Sequence, residues 1–266
     1  MIFYFSGTGN TRWAASQIAA ATGDTLIPIP NAIHTADEIS LAAGECIGFC
    51  FPVHGWRPPK IVREFISKLT IKEAHYTYAV ITAGDNIGET AKILEADLDR
   101  AGLKLHAATT LIMPESYVGL PFMDVDKPEK EARKLQAAEQ KLKDFLPVIL
   151  NRQNERRDLV IGNWPRINSR VIGGYFVSHL ITDKPFHVDS SKCVKCGICA
   201  DVCPVQDITG GLGYEPTWKH NGTCLTCFAC YHHCPHHAIA FGKRTQRKGQ
   251  YFYGRKHSSK TTRQTI

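Results

Sequence analysis

Along the first 150 positions, short apolar runs alternate with stretches in which apolar residues recur at helical spacing. Runs at 2–5, 26–29, 46–51, 76–82 and 104–113 read as strands. Helical spacing covers 11–22 (closed by Gly23), the set Ile61, Phe65, Ile66 and Leu69 behind Pro58 and Pro59, 89–101 (closed by Gly102), and 128–150. The 46–51 run is apolar throughout, as expected of a strand covered on both faces. Alternating strand and helix predicts an α/β parallel sheet with helices on both sides. Ligands of such sheets lie at the carboxyl ends of the strands, so the informative loops follow Phe5, Phe51, Thr82 and Met113. The pattern divides the chain into a sheet domain (1–150), a connector with one helix (151–186), a cysteine-rich domain (187–242) and a tail (243–266).

Charge sharpens the last boundary. Eight of the 32 basic residues, and none of the 25 acidic ones, lie at 243–266. The net charge of +7 therefore belongs to the tail, which reads as a solvated, partly disordered terminus. No apolar stretch is long enough for a membrane span. The N-terminus has neither the charged region nor the cleavage site of a signal peptide, so the expectation is a cytoplasmic protein. Ten cysteines in that setting point to metal ligation, not disulfides.

Eight of them form two copies of Cys-x2-Cys-x2-Cys-x3-Cys-Pro. Cys193, Cys196, Cys199 and Cys203 make the first, and Cys224, Cys227, Cys230 and Cys234 follow 31 residues later, position for position. Three cysteines at this spacing wrap one cuboidal 4Fe–4S cluster, while the fourth, before proline, reaches the other cluster. The expected ligand sets are Cys193, Cys196, Cys199 and Cys234 for one cluster, and Cys224, Cys227, Cys230 and Cys203 for the second. Structural zinc is the competing reading, but it requires neither the third Cys-x2-Cys step nor the Cys-Pro. Cys46 and Cys50 share one face of a strand and read as packing residues. His232, His233, His236 and His237 around the last cysteine read as exposed turn residues.

Ser6, Gly7, Thr8, Gly9, Asn10 and Thr11 join the first strand to the first helix. Small residues there let N–H groups converge at a helix N-terminus, which makes an anion cradle. It lacks the lysine of a triphosphate loop and suits a monophosphate.

The cradle is similar to the phosphate loop of flavodoxins, and 187–242 resembles a bacterial two-cluster ferredoxin. One departure is Phe228, where the first motif has Gly197. Together the halves resemble the single-chain flavodoxin–ferredoxin proteins of anaerobes, the EFR family, whose basic tail element is matched weakly by 248–251. The resemblance implies a flavodoxin-like doubly wound sheet followed by a small α+β two-cluster ferredoxin domain. It also implies FMN, held by residues 6–11 and flanked by Pro52, His54, Gly55 and Trp56 on one side and Ala83, Gly84 and Asp85 on the other. Trp56 either stacks on the flavin ring or packs on the helix behind Pro58.

The expected function is electron transfer between FMN, two 4Fe–4S clusters and an external redox protein. An FMN-dependent reductase of a small molecule, with His54 or Tyr117 as proton donor, is the alternative. No recognition-helix motif supports nucleic-acid binding.

Overall fold

The computed structural model describes residues 1–41, 44–71 and 75–255. Six parallel strands make one sheet in the order β2-β1-β3-β4-β5-β6. They are β1 (Ile2–Tyr4), β2 (Leu26–Pro28), β3 (Ile47–Pro52), β4 (Thr77–Ala83), β5 (Leu105–Ile112) and β6 (Arg156–Asp158). The helices between them are α1 (Asn10–Thr22), the short α2 (Ile29–Ala32), α3 (Lys60–Lys68), α4 (Thr90–Arg100) and α5 (Pro128–Leu150).

Alternate strand residues point to opposite faces, and β3 shows the consequence. Phe49 and Phe51 enter the core beneath α3 and α4, while Cys50 enters the one beneath α1 and α5. Cys46 packs on that second core too. Burial pushes the Cys50 thiol well above its ordinary range, as befits a small apolar core residue.

The sixth strand has no apolar pattern. Arg156, Arg157 and Asp158 are all exposed and lie in the segment read as connector. What recruits them is Arg157, whose guanidinium donates to the Leu105 carbonyl at 2.7 Å and the His106 carbonyl at 2.6 Å, and bonds Glu95 at 2.8 Å. A helix with wide, π-type turns at Ile167–Ile172 and Phe176–Leu180 follows.

Two small antiparallel ladders frame the cysteine-rich domain, β7 (Phe186–Val188) with β10 (Ile239–Phe241) and β8 (Ile208–Gly211) with β9 (Tyr214–Trp218). It is wedged against the carboxyl ends of the large sheet. Leu225 is 5% exposed and belongs to the core beneath α3 and α4. Val118, from the loop after β5, is buried among Phe186, Phe228 and Phe241.

The tail corrects its sequence reading. Residues 243–255 are a strap laid back over the sheet domain, in which Tyr251 is 1% exposed. Tyr253 stacks on Trp13 at 5.5 Å, and Arg255 pairs with Glu131 at 2.7 Å. Aromatic burial and these pairings outweigh the preference of a basic segment for water. The remainder, 256–266, lies outside the described residues. Among the described residues no helix is long and apolar enough to cross a membrane.

Candidate functional site

Two cysteine-lined cups lie side by side in the C-terminal domain. Cys193, Cys196, Cys199 and Cys234 line one, of about 350 Å³. Cys203, Cys224, Cys227 and Cys230 line the other, of about 290 Å³. The cysteine before each proline thus faces the cup of the opposite motif. A backbone N–H four residues further on donates to each of these two sulfurs, Asp207 to Cys203 Sγ at 3.2 Å and Ala238 to Cys234 Sγ at 3.3 Å. Burial pushes the Cys199 thiol up to about 11 and the Cys227 thiol up to about 12. Thiols in such surroundings ionise against a strong local positive charge, which bound metal supplies.

The duplication is visible in the backbone. Left-handed residues recur at matching positions: Lys195 and Thr226 (φ 57° and 49°), Gly197 and Phe228 (81° and 58°), Gln206 and His237 (52° and 50°). Left-handed geometry is ordinary for glycine and costly for a bulky residue. Phe228 adopts it with its ring 1% exposed. The ring meets those of Tyr117 (5.3 Å), Phe186 (5.3 Å) and Phe241 (5.1 Å), so packing overrides the local preference.

The loops after β1, β3, β4 and β5 gather at the sheet edge facing the second cup. Helix α1 opens at left-handed Gly9 with no side-chain cap, so its first N–H groups remain available to an anion. Ser6 Oγ accepts from Gly9 N at 3.2 Å. Two other polar side chains of this stretch have work elsewhere. Thr11 and Thr82 hydroxyls bond at 2.7 Å, and Asn10 Nδ2 donates to the Pro114 carbonyl at 3.2 Å. Thr8 contributes its carbonyl to Tyr253 N–H at 2.8 Å.

In the second loop, Trp56 is left-handed (φ 56°) and its Cβ abuts Gly88. It therefore packs at the foot of α4. Gly55 and Gly173 nearly touch, for a Cβ on Gly173 would come 2.0 Å from the Gly55 carbonyl oxygen. Phe176 of the same connector helix covers Gly55. Pro52, at the end of β3, and His54 are half-buried, and burial pushes His54 down to about 4. In the third loop Ala83 is buried and Asp85 is exposed. Gly84 faces the Glu115 carboxyl, which loss of hydration pushes up, and its carbonyl accepts from Lys134 Nζ at 2.7 Å.

A flavodoxin family model matches residues 1–114, and a 4Fe–4S dicluster family model matches 186–235. The chain joins a flavodoxin domain to a 4Fe–4S dicluster domain. It is accordingly a redox protein of the flavin and iron–sulfur type. No curated protein matches it. Among solved structures the chain is similar to the Trp repressor binding protein of Bacillus subtilis, with 14% identity over 54% of this chain and 96% of that one, TM-score 0.37. It is also similar to an azoreductase from Bacillus anthracis str. Sterne, with 8% identity over 55% and 97%, TM-score 0.35.

Between the flavodoxin and dicluster domains, the structure gives some residues surroundings other than the sequence predicts. His232 is 1% exposed, not a surface residue. Its Nδ1 accepts from Tyr251 N–H at 3.0 Å, which leaves Nε2 to donate to the Ser116 carbonyl at 2.6 Å. His233 is half-buried and stacks on Phe252 at 4.4 Å, while His236 and His237 are exposed. In the strap, Tyr251 donates to Asn10 Oδ1 at 2.5 Å. The aromatic triplet 251–253 was the available sign that this basic tail had a partner.

Proposed function

We propose that this chain is an electron-transfer protein that carries one FMN and two 4Fe–4S clusters and exchanges electrons with an external redox protein. The observation that carries the reading is the grouping of eight cysteines into two four-sided cups, each completed by the opposite motif. Among the described residues, no three His, Cys, Asp or Glu side chains come close enough to hold a single metal ion. Four cysteines per cup, the fourth supplied by the opposite motif, suit a cuboidal cluster.

FMN would sit with its phosphate at the uncapped start of α1, held by N–H groups of residues 7–11 and the Ser6 and Thr8 hydroxyls. Pro52, His54, Gly55 and Trp56, with Ala83, Gly84 and Asp85, would flank the ring. Phe176 and Glu115, which lie against Gly55 and Gly84, would then be its neighbours. When bound, FMN exchanges two electrons and each cluster one. The chain's own part is positioning and the exclusion of water: the connector helix closes over Gly55, and the strap closes over Thr8 and Gly9.

The alternative, a reductase acting on a small molecule, has no observation in its favour. Burial pushes the His54 imidazole down to about 4 and the Tyr117 hydroxyl up to about 12. Neither is a ready proton donor at neutral pH.

The test is anaerobic purification with iron, sulfide and flavin quantified, where about eight irons and one FMN per chain are expected. Reduction is then followed by EPR of the clusters and flavin absorbance. Clusters and flavin that never exchange electrons would sink the reading.

A further inference from the structure

The two cups have one repeat spacing and one backbone, yet they face different surroundings. A Cβ placed on Gly7, in the loop that opens α1, would stand 2.8 Å from Cys227 Cβ and 3.3 Å from its sulfur. The loop backbone is therefore in direct contact with a cysteine of the second cup. Neighbouring residues repeat the contact. Leu225 enters the flavodoxin core, and Phe228 lies against Tyr117 and Gly119. Thr226, 3% exposed, exchanges hydrogen bonds of 2.8 and 3.1 Å with the Thr182 backbone at the end of the connector.

Matching positions around the first cup do none of this. The atoms nearest to a Cβ placed on Gly197 belong to Gly211 and Leu212 of its own domain. Val194, at the position of Leu225, is 56% exposed, and Leu212 and Tyr214 beside the cup are 84% and 73% exposed. The motif of one cup is packed against the flavodoxin domain, and the rim of the other carries exposed apolar side chains.

We infer that the cup formed by Cys203, Cys224, Cys227 and Cys230 is the redox centre coupled to the flavodoxin loop, and that the Cys193 cup is the one an external redox protein reaches. This rests on the functional reading above. It adds an order: outside, Cys193 cup, Cys227 cup, anion loop. The coupling has a definite sign. A phosphate bound at Gly7 places negative charge close to the inner cup in surroundings poor in water, where charges act strongly on one another. That charge opposes adding an electron to the inner cluster and lowers its potential. The outer cluster, which has no contact with this loop, feels that charge less.

The experiment is an EPR-monitored redox titration of the whole anaerobic protein, before and after removal of its flavin. Cys224→Ser and Cys196→Ser assign the two signals. If either variant fails to fold, hyperfine-shifted cysteine proton resonances of the unsubstituted protein assign them instead. Flavin removal is expected to raise the midpoint potential of the inner cluster and to leave the outer one nearly in place. A larger shift at the outer cluster, equal shifts, or no shift at either would overturn the order. A preparation with only about four irons, or no FMN, fails the functional reading itself, and the composition shows this before any titration.

Discussion

The two cysteine motifs are duplicates that have been put to different uses. Their left-handed residues coincide in pairs, so one backbone path was copied and kept. The side chains on that path diverged. Gly197 takes its turn without conformational cost and lies close to Leu212 of its own domain, whereas Phe228 occupies the same turn at a conformational cost and fills the seam between domains. A duplicated site can thus keep its chemistry and change its address through the residues between its ligands.

Exchange of ligands between the motifs gives the sharpest way to break this comparison. Cys234→Ala, in the second motif, is expected to remove the cluster of the first cup, and Cys203→Ala that of the second. Each variant should retain about four irons, and EPR identifies the surviving signal. Loss of the cluster nearest in sequence would refute the crossed assignment.

Next in size is Phe228→Ala, which empties the seam and should cost about 3–5 kcal/mol, read as a lower urea midpoint for the cluster-loaded protein. Phe228→Gly sharpens the point, because alanine at φ 58° carries a left-handed cost of about 1–2 kcal/mol that glycine escapes. The glycine variant should therefore be no less stable than the alanine variant, against the usual order. A clearly weaker glycine variant would mean that Phe228 is not strained.

Tyr251→Phe removes one hydroxyl and leaves Asn10 Oδ1 without its donor. A loss of about 1–3 kcal/mol is expected for a buried acceptor so orphaned, again in urea. Smallest is Leu212→Ala beside the first cup, where the side chain is 84% exposed. Stability should move by no more than about 0.5 kcal/mol, and a large loss would show that this rim is covered.

Much of the fold was written in local patterns. The five longer runs became β1 to β5, and α5 spans the 128–150 stretch of helical spacing. What stayed hidden depended on partners distant in sequence. Strand β6 is charged and exposed, and exists because Arg157 finds carbonyls of β5. His232 looked like one of four turn histidines until Ser116 and Tyr251 closed on it. The grouping of the cysteines into two cups was legible in their spacing. The Phe228 substitution was visible as an anomaly, but its meaning lay in Tyr117, more than a hundred positions away. A connector helix around 167–181 was expected. That it lies on Gly55 was not, since a glycine pair in close approach leaves no periodic trace.

The strap has a consequence for how the molecule comes into being. The bond between Asn10 and Tyr251 spans 241 residues, and closing so distant a contact is slow because nearly the whole chain must be ordered first. On the ribosome, where N-terminal domains fold first, the glycine-rich turn emerges early and waits uncovered while the rest is made. The strap can settle over Thr8 and Gly9 only once the segments between are made.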